Sequence, residues 1–508
     1  MNATSSRSRV TAAGVRMAVS RLRLGLSVLA ARATAQAIRL LRCGYGSTLP
    51  GKVARRVDPG VLSALARQVR QGTVMITGTN GKTTITKLLA AILTESGYRV
   101  FYNRGGANLV GGITATFALN ASPTGRLSAD FALLETDEAT MPKTAPALQP
   151  RLILANDFFR DQLDRFGELD SAVESLRKAL PFLAPDGVLV LNADDPLCVG
   201  AGLATDRRKL YYGLETSSLA APTSSAQSTQ AADAAFCPLC HSRFTYTRRS
   251  YSHLGEWACT GCDYRRPRPD VYAERVELFG MRGSRVSVVT PAGRLELRIS
   301  LPGLYSVYNV LAATTAALAL GAPLAAVAPA LEKAAGGFGR AEFFRLDGRE
   351  GCLLLVKNPT GFNQVLATLA LDPSPKSLLF AINDRTADGR DISWLWDVDF
   401  EQLWTHEEIA RTVYVTGDRA EDMAVRLKYS SPAGAAVEGP SLEGQGLAAL
   451  SPEVLRPPET ALRRALRSTA PGATLYVLAT YTAMLELWEV IRREGDPRQA
   501  RAERAPDA

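Results

Sequence analysis

A predominantly parallel α/β fold in two unequal parts is predicted for this chain by three observations. Apolar, strand-like runs alternate with helical patterns from Thr73 to about Ala334. The first of those runs ends in a glycine-rich turn that opens a helix. The alternation then starts afresh near Gly339. Strands that alternate with helices are the mark of a parallel sheet covered on both faces. The expected architecture is a central domain with a parallel-rich sheet, interrupted by a cysteine-rich insertion, and then a smaller Rossmann-like α/β C-terminal domain.

In the central part the strand runs are Thr73–Ile76, Arg99–Tyr102, Phe131–Glu135, Leu152–Ala155 and Gly187–Leu191, with helical patterns at Thr84–Glu95 and Ser171–Leu180. The stretch Glu215 to Ala235 is rich in Ser, Ala, Thr and Gln without apolar period and reads as a tether. Two cysteine pairs follow. The sheet pattern then resumes with Arg285–Val289, Leu295–Ile299 and an alanine-rich helix, Val307–Leu320, so the cysteine segment is an insertion. The second unit carries strands Leu353–Val356, Ser377–Ile382, Thr412–Thr416 and Ala473–Ala479, with loops at Pro373–Lys376 and Ser431–Gly446. These runs divide the chain into a basic N-terminal helix or arm (1–45), a central domain (46–335, with tether and insertion at 215–270), a C-terminal domain (336–494) and a frayed, charged tail (495–508). No internal repeat is present.

The most informative stretch is Val74 to Thr84. A strand enters a turn containing Gly78, Thr79, Asn80 and Gly81, and Lys82, Thr83 and Thr84 open the following helix. This is a phosphate loop. Gly78 and Gly81 let backbone N–H groups close around phosphate oxygens without an intervening Cβ. Lys82 is positioned to reach the β/γ-phosphates, and the Thr83 hydroxyl to ligate Mg²⁺. ATP chemistry is the expectation.

The chain has 508 residues, enough for two or three domains with real cores, and its 46% hydrophobic and 21% charged residues are those of a globular protein. No apolar run is long enough to span a bilayer. The net charge of +9 is concentrated at the start: up to Arg70 there are thirteen Lys and Arg residues and one acid, Asp58. Val15 to Arg42 forms a basic helical pattern in which Leu22, Leu24, Leu26, Val28, Leu29, Ile38, Leu40 and Leu41 alternate with Arg21, Arg23, Arg32, Arg39 and Arg42. Arginines interrupt its apolar core and no small-residue cleavage site follows, so it is poor as a signal peptide. Three readings stand: a helix on an anionic membrane surface, a helix packed on the body or a partner, or a disordered basic arm.

The seven cysteines do not form a disulfide framework and suit a reducing cytoplasm. Cys43, Cys198 and Cys352 are isolated. Cys237-x-x-Cys240 and Cys259-x-x-Cys262 are separated by eighteen residues, the two-knuckle spacing of a four-cysteine zinc ribbon. Four protein ligands leave no open position, so the zinc is structural. Phe244, Tyr246, Tyr251 and Trp257 between the pairs suit a small hairpin. With four thiolates available, His241 and His253 are bystanders.

Gly78 to Thr84 resembles the phosphate loop of the Mur ligases, which join amino acids to cell-wall precursors; folylpolyglutamate synthases share it. Leu191-Asn-Ala-Asp-Asp-Pro196 is similar to the family's Asn-Ala-Asp-Asp-Pro turn. Tyr308 to Ala313 resembles its adenine-contacting helix, with Asn309 as the contact. Gly339-Arg-Ala-Glu342 resembles the entry to its C-terminal domain, whose Arg, here Arg340, would reach the nucleotide. There are departures. Gln162 stands where an Asp-His-Leu-Asp element carries its metal-holding His. Lys357-Asn-Pro-Thr-Gly-Phe-Asn363 replaces an Asp-Tyr-Ala-His-Pro-like element. Only about seventy residues precede the phosphate loop, so a UDP-binding N-terminal domain is not expected. The Mur-type centre, the cysteine insertion and the run Ala387-Asp-Gly-Arg-Asp-Ile-Ser-Trp-Leu-Trp-Asp397 together resemble the MurT family, the synthetase subunits of lipid II isoglutaminyl synthase.

That resemblance implies ATP-dependent amidation of the α-carboxylate of D-glutamate in the lipid II stem peptide, through an acyl phosphate. Lys82 would act on the transferring phosphoryl group, and Glu135, with Thr83, would hold Mg²⁺; Asp137 and Glu138 are substitutes for Glu135. Ammonia would come from a separate glutaminase, the family's GatD, to whose Cys-His pair an Asp of this chain is lent: Asp391 first, Asp388 second. Trp394 and Trp396 would form an interface or core pair. The site would face the cytoplasmic leaflet. Two rivals remain: a stand-alone ligase adding amino acids, of the Mur or folylpolyglutamate type, and a zinc-ribbon ATPase binding nucleic acid, for which the basic residues near the ribbon are too few.

Overall fold

The computed structural model describes residues 4–41, 48–103, 106–160, 169–215, 233–334, 341–410, 412–430 and 451–494. Arg340, Gln162, Cys43, most of the tether, the 431–446 loop and the tail lie outside the described residues.

Short apolar runs become strands where both faces find cover. The strands of the larger sheet are β1 (Gly72–Thr77), β2 (Val100–Tyr102), β3 (Phe131–Glu135), β4 (Leu152–Ala155), β5 (Val188–Asn192) and β6 (Arg208–Leu214), then, beyond the hairpin strands β7 (Phe244–Tyr251) and β8 (Leu254–Cys259), β9 (Val271–Leu278), β10 (Ser284–Thr290) and β11 (Gly293–Ile299). Their order is β11-β10-β9-β6-β5-β4-β1-β3-β2. From β2 to β9 all pairings are parallel; β10 and β11 are antiparallel. In β1, Val74 and Ile76 enter one core with the helices Lys82–Glu95 and Leu304–Ala319, while Met75 enters the other, with Val110–Asn120. Two-sided burial is why these strands read as continuous apolar runs rather than alternating ones.

β1 lies between β3 and β4, so the chain builds outward from it in both directions. Loops leaving the carboxyl ends of β1, β3 and β4 therefore converge, which is where open α/β sheets bind ligands.

The smaller sheet has strands β12 (Ala341–Leu346), β13 (Arg349–Leu355), β14 (Lys376–Ala381), β15 (Thr412–Thr416), β16 (Ser451–Val454) and β17 (Thr474–Ala479), in the order β12-β13-β17-β14-β15-β16, with only β12 and β13 antiparallel. Lys376, read from sequence as a loop end, begins β14 and is buried. Its stem lies in the sheet, while its ammonium reaches the Asp372 carbonyl. The strands β6, β9, β12 and β16 escape the sequence pattern because charged or polar residues interrupt each of them.

The first helix, Thr4–Leu40, packs against the helix Leu49–Val57 and, through Arg32 to the Leu119 and Ala121 carbonyls, against the end of Val110–Asn120. Ser27, Val28 and Ala31 are buried on it. A Cβ at Gly51 would lie 1.9 Å from the Gly111 carbonyl oxygen, so two glycines set the close crossing between the helices Leu49–Val57 and Val110–Asn120. No described helix is long and apolar enough to cross a membrane.

Candidate functional site

The phosphate loop joins β1 to the helix Lys82–Glu95. Gly81 caps that helix with φ +82°, and a Cβ there would meet Asn309 Oδ1 at 2.1 Å, so backbone geometry and space both require glycine. The loop is held from behind by β4. Thr79 N–H donates to the Asp157 carbonyl (2.9 Å), Asn80 N–H to Asp157 Oδ1 (2.7 Å), and the Thr79 hydroxyl to the Phe159 carbonyl (3.1 Å). Asn156 Nδ2 donates to the Asn80 carbonyl at 3.1 Å, and Asn156 Oδ1 accepts from the buried Tyr212 hydroxyl at 2.7 Å. Asn156 and Asp157 went unrecognised from sequence; their signal is a polar pair directly after a fully apolar strand.

On the other side lies the end of β3. The Thr83 hydroxyl donates to Glu135 Oε2 at 2.8 Å. A hydroxyl and a carboxylate this close can share one hard cation, so the pair fits Mg²⁺. Glu138 is placed differently: its Oε1 accepts from Gly78 N–H (3.2 Å) and from Lys82 Nζ (3.0 Å). Asp137 caps the short turn at Glu138–Thr140 by accepting from Ala139 N–H, and is buried there. Thr84 sits half-buried in the first helical turn.

The C-terminal domain closes the cleft from above. Lys357 Nζ donates to the Thr79 carbonyl (3.2 Å), and Asn358 Nδ2 to Asn80 Oδ1 (3.1 Å). Asn358 also caps the helix Pro359–Ala370. The cleft between the domains is lined by Asn80, Gly81, Asn309, Tyr251, Lys357 and Gln364, among others. The sequence singled out the Lys357–Asn363 run but gave it no role beside the phosphate loop.

The Asp194–Asp195 turn is a structural hub. Asp194 is fully buried, and burial pushes its carboxyl up, opposed by the Arg266 guanidinium at 2.7 Å and the Tyr308 hydroxyl at 2.6 Å. Asp195 caps the helix Pro196–Gly202 through Leu197 N–H and accepts from Phe158 N–H at 2.8 Å. The insertion clamps onto this same turn. Trp257 Nε1 donates to the Ala193 carbonyl (3.1 Å), Gly255 N–H to the Asp194 carbonyl (3.0 Å), and the Tyr264 hydroxyl to the Pro196 carbonyl. The insertion's aromatics thus serve its junction with the sheet domain more than a core of their own.

The four sulfurs of Cys237, Cys240, Cys259 and Cys262 lie within 4.8 Å of one another, with Sγ–Sγ separations of 3.8 Å (Cys237–Cys262) and 3.3 Å (Cys240–Cys259). A tetrahedral zinc thiolate site has edges of about 3.8 Å, so the cluster fits zinc. N–H groups of Leu239 and Gly261 point at Cys237 and Cys259 sulfurs, the usual knuckle arrangement. The Ser242 N–H and hydroxyl bring the Cys240 thiol down to about 6. His241 and His253 stand outside this group.

In the C-terminal domain the two candidate aspartates differ. Asp388 is buried and accepts from Thr482 N–H (2.7 Å), the Thr482 hydroxyl and Arg385 N–H (3.3 Å). Asp391 accepts one bond from Ser393 N–H (2.8 Å) and is half-buried. Trp394 packs partly into the core, whereas Trp396 is 55% exposed. Cys198 and Cys352 are fully buried; burial, with Asp195 and Asp157 nearby, holds the Cys198 thiol well above its ordinary value.

Residues 76–243 match the Mur ligase middle domain and residues 355–484 the MurT ligase C-terminal domain. The chain is 35% identical to the MurT subunit of lipid II isoglutaminyl synthase (glutamine-hydrolyzing) from Streptococcus pneumoniae, over 89% of this chain and 94% of that one. It is 32% identical to the subunit of the same name from Staphylococcus aureus, over 76% and 83%. Among solved structures, MurF from Acinetobacter baumannii superposes with a TM-score of 0.60 at 18% identity, over 87% of this chain and 81% of that one. A pseudomurein peptide ligase type C from Methanothermus fervidus gives 0.58 at 21%, over 84% and 79%. The structural likenesses establish the fold, and the sequence identities carry the conclusion that this chain belongs to the MurT family of Mur-type ligases.

Proposed function

We propose that this chain is the ATP-dependent synthetase subunit that converts the α-carboxylate of D-glutamate in the lipid II stem peptide to the amide. The observation that carries this reading is the pairing of Thr83 with Glu135 beside the phosphate loop, in a chain of the MurT family. Both named relatives are subunits of lipid II isoglutaminyl synthase.

A carboxylate is a poor acylating agent at neutral pH. On our reading one of its oxygens attacks the γ-phosphorus of ATP, the bond to the β-phosphate oxygen breaks and ADP leaves. Ammonia then adds to the carbonyl carbon of the acyl phosphate, the C–O bond to phosphate breaks, and the nitrogen loses a proton. Loop N–H groups and Lys82 stabilise the charge on the transferring group, and Thr83 and Glu135 would hold Mg²⁺, which would supply further charge neutralisation at the phosphates. Asn309 faces the base, and zinc at the four cysteines has a structural role.

Ammonia comes from a separate glutaminase of the GatD kind. In support, each described cysteine belongs to the four-sulfur cluster or is fully buried, so none is an accessible nucleophile with a paired histidine. Asp391, with carboxylate capacity to spare, is the residue lent to that partner.

The first helix lies on the anionic inner face of the membrane that carries the substrate. Leu22, Leu26 and Leu29, at i, i+4 and i+7, are 66%, 51% and 48% exposed, and Arg21 and Arg23 flank them. Sedimentation with anionic but not zwitterionic vesicles, lost on replacing the three leucines by serine, tests this.

The test of the function combines purified chain, glutaminase partner, lipid II, ATP, Mg²⁺ and glutamine, with mass spectrometry of the stem peptide. The expected product has –NH₂ in place of –OH, needs the partner when glutamine is the donor, and disappears with Lys82→Ala. A product heavier by an amino-acid residue would instead make this an adding ligase.

A further inference from the structure

The cysteine insertion reaches the nucleotide cleft. Its hairpin strands have ends of different character. Cys259, one of the four clustered thiols, ends β8. At the opposite end, the two-residue turn Ser252-His253 is driven into the sheet domain: Leu254 and His253 are fully buried. His253 lies against the Phe159 ring (4.7 Å between centroids), with Nε2 at 3.4 Å from Asp195 Oδ1. The six residues of β8 span about 20 Å between these ends.

Tyr251 is the last residue of β7, beside that buried tip. Its ring stacks on Phe159 (6.0 Å, 25°) and meets Tyr308 edge-on (5.8 Å, 87°). It also lines the cleft that begins at Asn80 and Gly81 of the phosphate loop, together with Tyr305 and Asn309. A nucleotide with its phosphates in the loop directs its base along this cleft, toward an aromatic ring that the insertion supplies.

Resting on the ATP reading above, we propose that the insertion forms a working wall of the nucleotide cleft: Tyr251 contacts the base, and metal at the four cysteines sets how tightly the nucleotide is held. The β7–β8 pairing is the connection. Without metal, the strand carrying Cys259 loses its anchor, and the register that presents Tyr251 loosens with it. Trp257 and Gly255 tie the same strand to the Ala193–Asp194 turn, whose Asp194 holds Tyr308, the other ring against Tyr251.

The experiment compares binding of ATP with binding of tripolyphosphate, which has no base, by calorimetry on the full chain. Wild type, Tyr251→Ala and Tyr251→Phe are each measured with metal and after its removal by a chelator. The expected result is about a tenfold loss of ATP affinity in Tyr251→Ala, the size of one lost base–ring stack, with tripolyphosphate unchanged and Tyr251→Phe near wild type. Metal removal weakens ATP binding to wild type by a similar factor and adds little in Tyr251→Ala, since both act through one contact. Equal ATP affinity in wild type and Tyr251→Ala overturns the proposal. So does parallel loss of both ligands, which makes Tyr251 a packing residue. A wild-type chain that binds tripolyphosphate but gains nothing from the base overturns it too, and one that binds neither ligand overturns the ATP reading itself.

Discussion

Lys82 Nζ lies 3.0 Å from Glu138 Oε1, and the same oxygen accepts the Gly78 N–H at 3.2 Å. Two donors of the phosphate loop are thus turned toward one carboxylate. On our reading Glu138 sits where a phosphate oxygen goes and must yield when nucleotide enters. Glu138→Gln removes a like charge from that buried position, so Mg²⁺-free ATP should bind at least several-fold tighter, since like charges about 4 Å apart repel by about 1 kcal/mol even at the dielectric of water. Calorimetry in the presence of a chelator checks this; weaker binding would mean that Glu138 serves the bound state instead.

Thr83 and Glu135 make a complementary prediction. If they share Mg²⁺, Glu135→Gln and Thr83→Val each raise the Mg²⁺ concentration needed for half-maximal ATP turnover by at least tenfold, while Thr83→Ser stays near wild type. A lower maximal rate at unchanged Mg²⁺ dependence would assign the pair another role.

Asp388 and Asp391 should separate cleanly. Asp388→Asn disturbs a buried carboxylate that accepts from Thr482 and Arg385, so it lowers the unfolding free energy by about 1–3 kcal/mol. Asp391→Asn leaves the melting temperature unchanged. It abolishes glutamine-driven amidation with the partner while sparing amidation driven by added ammonium. Equal loss with both nitrogen sources would remove Asp391 from the glutaminase side.

The insertion's anchoring is testable through Trp257, whose ring is buried and whose Nε1 donates to the Ala193 carbonyl. Trp257→Phe leaves that carbonyl without its partner and should cost about 1–3 kcal/mol. Elemental analysis should still find one zinc per chain, because the four sulfurs do not depend on that bond.

Asp130 gives a pH signature. The Arg99 N–H, with Arg70 and Arg99 nearby, holds its carboxyl below its ordinary value against the effect of burial. A carboxylate with a depressed folded pKa contributes stability fully above its unfolded pKa, about 3.9. That contribution is lost as pH falls through the lower folded value. Asp130→Asn should therefore melt earlier than wild type at pH 7, and the gap should close below about pH 4. A gap that stays constant with pH would place the effect in packing.

The parts of the site that the sequence reveals are those fixed by local spacing. The Gly78–Thr84 loop needs its residues in one order over one turn, and four thiols need two close pairs; both patterns survive without knowledge of the fold. Asn156, Asp157, Lys357 and Tyr251 reach the cleft through β4, β13 and β7, from places far apart in the chain, and no local pattern marks them. The same reason hides β6 and β16. Their neighbours in the sheet supply the apolar cover, so their own residues need not be uniformly apolar. Asp388 and Asp391 look alike as letters three residues apart, and only the Thr482 contacts distinguish them.

The chemistry itself is tested most directly with lipid II labelled with heavy oxygen in the D-glutamate α-carboxylate, incubated with this chain, ATP, Mg²⁺ and ammonium. The account predicts that one labelled oxygen appears in the released phosphate as the amide forms, since the carboxylate oxygen that attacks phosphorus leaves with it. Unlabelled phosphate alongside amide would contradict the acyl phosphate, and phosphate release without amide would contradict the proposed function.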